Sequence, residues 1–228
     1  YGFRPGNPEV RLGAPIELAN GVDPSKPSTL LEVPSGQVMN SLLDAWAVQR
    51  KGARVLMVLD VSGSMGEPAD LDDPNGPTKL DLAKRAVIEG IDDFKSDDQV
   101  GLRIFTTDGN DKALVTDLSP IAPIGAQRES LIRQVDSLTP LSGTPLYKVA
   151  HESYAQMLEG YDPELINAVI LLTDGQNDDG TPADDARQFA ELLADVKNNS
   201  DGESARNVRI FTLAYGTGTD PAELRQIA

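Results

Sequence analysis

Five apolar residues stand in unbroken succession at Val55, Leu56, Met57, Val58 and Leu59, between Arg54 and Asp60. A strand with one wet face alternates apolar and polar residues. An unbroken run is buried on both faces, which is the habit of a central strand in a parallel sheet. The pattern returns at residues 168–173, and further strands are expected at 100–105 and 208–215. Between these runs the periodicity changes to helical. Leu80, Ala83, Val87, Ile91 and Phe94 form one stripe in 78–94, opened by a capping box of Thr78 and Asp81. Residues 126–138, 145–161 and 182–197 carry similar stripes, and another helix begins at Pro221. Residues 113–118 lie close enough to the 100–105 strand to pair with it antiparallel, across Thr107, Asp108, Gly109 and Asn110. Strands alternating with helices predict an α/β fold. The sheet should be Rossmann-like, doubly wound and mostly parallel, with helices on both faces.

The front of the chain differs. Pro5, Pro8, Pro15, Pro24, Pro27 and Pro34 fall within residues 1–36 and forbid long helices and central strands there. An extended arm, or the tail of a preceding domain, is expected at 1–36. An amphipathic helix and linker follow at 37–53, with Val38, Leu42, Ala45 and Trp46 at helical spacing. The α/β domain then occupies 54–228. The chain begins at Tyr1, as an excised piece of something longer would. Its formal charge of −16 repels phosphate backbones, so nucleic acid is excluded as a partner. No apolar run is long enough for a membrane span. The absence of cysteine removes disulfides, thiolate chemistry and Cys-bound metals together.

Ligands of open α/β sheets bind beyond the carboxyl ends of the strands, near the point where strand order reverses. Asp60, Val61, Ser62, Gly63 and Ser64 follow the first apolar run, and Asp174 and Gly175 follow the one ending at Thr173. Ser142, Gly143, Thr144 and Pro145 stand at the head of a helix. Asp60, Ser62, Ser64, Thr144 and Asp174 offer two carboxylates and three hydroxyls, all oxygen, which suits a hard cation such as Mg²⁺, or alternatively Mn²⁺ or Ca²⁺. Residues two apart can face one way in a strand-like turn, and Gly63 allows a tight bend between the serines. Each part also has a plain reading. Ser62 to Ser64 can be a turn, Thr144 a helix N-cap before a first-turn proline, and Asp174-Gly175 a turn dipeptide.

Asp60-x-Ser62-x-Ser64, then Thr144, then Asp174 within Leu-Leu-Thr-Asp-Gly, resembles the metal-ion-dependent adhesion site of von Willebrand factor A domains. The resemblance spans roughly 54–228. It implies a non-enzymatic binding module in which the serines and threonine contact the metal. The aspartates then act directly or through water, and a Glu or Asp carboxylate from a protein partner completes the coordination. All five positions are filled, which implies an intact site. The stretch Gly2-Phe3-Arg4-Pro5-Gly6, with Leu30, Leu31, Glu32, Val33 and Pro34, resembles actinobacterial proteins in which a solute-binding-like domain precedes the A domain. That implies an extracytoplasmic parent protein, attached to the membrane through parts not present here. Domains of the family ordinarily continue with a further strand and helix after the helix near Pro221, whereas this sequence stops at Ala228, so a truncated C-terminal end is expected.

Two rivals come from other classes. Ser62-Gly63-Ser64-Met65-Gly66 approaches the nucleophile elbow of serine hydrolases, but Ser62 replaces its first glycine. The single histidine, His151, falls on the flank of a helix. The other rival is a partner subunit of a chelatase-type ATPase assembly. The chain has no P-loop, so the ATPase would be a separate protein.

Overall fold

In the computed structural model, residues 17–20, 23, 34–175, 177–200, 206–216 and 221–228 are described. The front motifs at 2–6 and 30–33, and most of the expected arm, lie outside them. The chain divides into two compact units, Tyr1–Arg50 and Lys51–Ala228. In the first, helix α1 (Gly36–Gln49) is capped by Ser35, whose side chain accepts from the Val38 N–H, and Arg50 leaves it in extended conformation.

The second unit carries a sheet of five strands among the described residues: β1 (Ala53–Asp60), β2 (Gln99–Thr107), β3 (Ala113–Pro123), β4 (Ile166–Thr173) and β5 (Val208–Ala214). Its order is β3-β2-β1-β4-β5, with β1 at the centre and every pairing parallel except β2 with β3. Around it lie α2 (Lys79–Asp92), α3 (Ile124–Asp136), α4 (Leu146–Glu159), α5 (Asp185–Ser200) and α6 (Leu224–Ile227). The expected α/β class, mostly parallel with helices on both faces, is what the chain adopts.

Alternate β1 residues build two separate cores. Val55, Met57 and Leu59 pack with Leu80, Ala83, Val87 and Ile91 of α2 and Leu131 and Val135 of α3. Leu56 and Val58 point the other way, into Leu146, Val149, Tyr154 and Met157 of α4, Leu192 of α5 and Leu224 and Ile227 of α6. Because side chains alternate along a strand, a run apolar at every position is satisfied only by helices on both sides.

Three details depart from the sequence expectation. Strand β3 runs on to Pro123, well past residue 118. It is an edge strand, so Pro120 and Pro123 withhold no ladder donor that a further strand needs. Its register against β2 shifts around Val100 to Arg103. Helix α5 begins at Asp185, three residues after Pro182. Thr144 is not the N-cap of α4; Pro145 holds that position, with no side-chain cap hydrogen bond. Among the described residues, no helix is long and apolar enough to cross a membrane.

Burial on both faces makes β1 sensitive to truncation. Leu59→Ala removes a fully buried side chain and should cost about 2–5 kcal/mol in a urea titration. A loss below about 1 kcal/mol would contradict this packing.

Candidate functional site

From β1 the chain reaches β2 on one side through α2, and later β4 on the other side through α3 and α4. The strand order therefore reverses between β1 and β4, whose carboxyl ends lie side by side. Leu59 pairs in register with Leu172, which brings Asp60 beside Thr173 and Asp174. Asp60 is fully buried, and both of its oxygens are engaged. Oδ1 accepts from the Ser62 N–H at 2.8 Å and Oδ2 from the Thr173 hydroxyl at 2.6 Å. The Thr173 oxygen in turn accepts from the Gly175 N–H at 3.1 Å, so the two strand ends are tied through one hydroxyl.

After Asp60 the chain does not continue as a strand-like turn. Ser62 is extended, and residues Gly63–Gly66 form a 3-10 turn. The two serine hydroxyls nevertheless converge, Oγ to Oγ 3.1 Å. Gly63 serves close approach rather than a tight bend: a Cβ there would stand 3.3 Å from the Leu141 carbonyl oxygen. Around this point the loop carrying Thr144 is stitched down by main-chain bonds. The Leu141 N–H donates to Val61 O, and the Gly63 N–H donates to Ser142 O. The Ser142 and Gly143 N–H groups donate to the hydroxyls of Thr106 and Thr107, at 3.0 and 2.8 Å. Thr144 exchanges two bonds with Asp178, at 2.6 and 2.8 Å. The ends of β1, β2 and β4 thus hold one another and the entrance of α4.

Sequence order separates Asp60, Ser62, Ser64, Thr144 and Asp174 by more than a hundred residues, and the fold gathers them at this junction. Asp60, Ser62, Thr144 and Asp174 are buried, and Ser64 is half-buried. Among the described residues, no cluster of three or more carboxylate, imidazole or thiolate side chains gathers in a metal-binding arrangement. The donor set here is of another kind, with hydroxyls in the majority. All-oxygen and partly neutral, it fits a hard divalent cation, and these five residues could hold one.

Several participants were not found from the sequence. Thr106 and Thr107 stand at the carboxyl end of β2, as Asp60 stands at that of β1. Lys79 stands at the first position of α2, where a cation meets the positive end of the helix dipole and gains from anionic partners. Its ammonium donates to Asp174 Oδ2 at 3.0 Å and to Glu67 Oε2 at 2.9 Å. Burial works against that charge, but the hydrogen bonds and charges of Glu67 and Asp174 outweigh it, and the Lys79 pKa is raised. Asp174 is therefore not an unrelieved like charge beside Asp60. Asp60 itself has its pKa pushed up to about 6, by burial first, against the hydrogen bonds from Thr173 and Ser62, with the Asp174 charge adding to the rise. His151 stands apart from the serines, with Nε2 2.6 Å from Asp195 of α5.

The model of the von Willebrand factor type A domain family matches residues 55–228, and the chain belongs to that family. Among curated proteins, none matches the chain. Among solved structures, it is similar to a von Willebrand factor type A protein from Catenulispora acidiphila. The two are 25% identical with a TM-score of 0.55, over 78% of this chain and 36% of that one. It is also similar to the manganese-loaded TRAP protein of Plasmodium vivax, with 18% identity and a TM-score of 0.56, over 78% and 63% of the two chains. A third likeness is to proximal thread matrix protein 1 of the mussel byssus with a zinc-occupied MIDAS motif, at 20% identity and TM-score 0.51, over 78% and 41%. The last two likenesses bear on the fold. The chain spans less than two thirds of each of these proteins.

The Asp60 shift has a definite sign. A carboxyl whose folded pKa, about 6, lies above its ordinary value of 3.8 opposes folding. That opposition is complete above about pH 6 and fades as pH falls towards 4. Urea unfolding in chelator, compared between wild type and Asp60→Asn, should therefore shift in favour of wild type between pH 7 and pH 4. A stability difference that stays flat across that window would contradict the burial of an ionised Asp60.

Proposed function

We propose that this chain is a divalent-cation-dependent protein-binding module. In this reading Ser62, Ser64 and Thr144 contact the metal through their hydroxyls, and Asp60 and Asp174 act directly or through water. A Glu or Asp carboxylate of a protein partner completes the shell. The observation that carries the reading is that the segments bearing these five residues meet at the switch point of the sheet, with Ser62 and Ser64 Oγ 3.1 Å apart. Where neutral hydroxyls make up the direct contacts and the aspartates act through water, a bound ion keeps much of its charge and seeks an anion from outside. Mg²⁺ is the ion proposed first, with Mn²⁺ and Ca²⁺ as alternatives. Relatives of the same fold that are manganese-loaded or zinc-occupied support a divalent ion as the ligand class.

We further propose that the module is non-enzymatic and acts outside the cytoplasm as part of a longer protein, with the stretch before residue 54 as its connection to a neighbouring part. The pairing of His151 with Asp195, and not with Ser62 or Ser64, leaves neither serine with an imidazole base. Catalysis by a serine–histidine pair needs that contact.

A ligand that binds only the folded state adds RT ln(1 + [L]/Kd), about 1.4 kcal/mol at tenfold over Kd. For a domain of this size, Mg²⁺ or Mn²⁺ at that level should raise the melting midpoint by roughly 3–6 °C relative to chelator at matched ionic strength. Asp60→Ala should abolish the rise. Equal metal-induced shifts in both proteins would place the ion elsewhere.

A further inference from the structure

A lysine ordinarily lays its methylene stem on the protein and leaves its ammonium in water. Lys79 does the reverse. It opens α2 directly after the Thr78 cap, and its N–H donates to the Glu67 carbonyl at 3.0 Å. Its side chain, 11% exposed, turns inward to the Asp174 carboxylate, whose side chain is 7% exposed. The path is shaped to fit. Gly216, with φ +100°, passes so close that a Cβ there would stand 2.9 Å from Lys79 Cε. Glu67, the other carboxylate on the ammonium, is 60% exposed, so water screens it and it offsets Lys79 less than Asp174 does.

Charge arithmetic gives this contact a consequence. Asp60 and Asp174 together would neutralise a divalent ion completely. With one ammonium on Asp174, a residual positive charge stays on the ion. Building on the proposed metal site, we propose that Lys79 sets the charge of that site. It offsets Asp174, so that the ion is held less tightly by the chain alone and keeps a stronger demand for a carboxylate from outside. Lys79 thereby exchanges affinity for the bare metal against affinity for an acidic partner. It touches neither the ion nor the partner; it is a positioning residue acting through Asp174.

The test compares wild type with Lys79→Met, whose side chain fills the same channel without charge. Calorimetric titration with Mn²⁺ should give a Kd about tenfold tighter for Lys79→Met, the scale expected for removing one nearby unit charge in a partly screened site. The Mn²⁺-induced rise in melting midpoint should be larger in the variant. The further rise on adding acetate to the Mn²⁺-saturated protein, against matched chloride, should be smaller. A merely structural lysine would lower the midpoint equally with Mn²⁺ and with chelator, and would leave the Mn²⁺ Kd unchanged; that result overturns the proposal. If Lys79→Met does not fold, Lys79→Gln keeps a polar end without the charge, and an unchanged Mn²⁺ Kd in that variant overturns it equally. The underlying metal site fails separately, if wild type takes up no Mn²⁺ or Asp60→Ala takes up as much.

Discussion

The Asp60 carboxylate sits where none of its surface meets water, at the end of the central strand of the sheet. A buried ionised carboxylate is tolerated only when its oxygens are satisfied. Here one oxygen takes the Ser62 N–H and the other the Thr173 hydroxyl. The first of these bonds turns the chain out of β1 and presents the two serines. The second joins β1 to β4 just where Asp174 begins the next loop. The parallel register of β1 against β4 is therefore also the register of the site.

The hydroxyl donors depend on the same junction for their positions. Ser142 and Gly143 are held by the threonines that end β2, and Thr144 is held by Asp178 beyond β4. These are bonds to the main chain, so the loop that brings Thr144 to the serines is fixed by backbone rather than by long side chains. Donors fixed before a ligand arrives lose little freedom on binding it. The helix behind Thr144 is seated by Leu146, Val149 and Tyr154 in one of the two cores, which ties the site to the packing of the sheet.

The sheet was legible because its signal is a sum over many residues. Runs such as Val55 to Leu59 admit few environments, and the Thr78–Asp81 capping box marked the start of α2 correctly. Strand β3 was less legible, since Pro120 and Pro123 read as breakers unless the strand is known to lie on an edge. Four of the oxygen donors were visible as motifs after strand ends and Thr144 at the head of a helix, and the fold brings their segments together. What holds them was not visible. Thr106 meets Ser142, and Lys79 meets Asp174 ninety-five residues away, through contacts that no local pattern encodes. Two carboxylates at neighbouring strand ends would repel each other, and the Lys79 ammonium between Glu67 and Asp174 relieves that repulsion.

The central claim is that a divalent ion is held by hydroxyls at the junction of β1 and β4. Anomalous diffraction from crystals grown with Mn²⁺ locates such an ion directly. The account predicts one strong peak about 2.0–2.6 Å from the hydroxyl oxygens of Ser62, Ser64 and Thr144. A peak confined to other carboxylates, such as Asp70, Asp72 and Asp73, which are exposed between Gly66 and α2, with those hydroxyls bare, would contradict it.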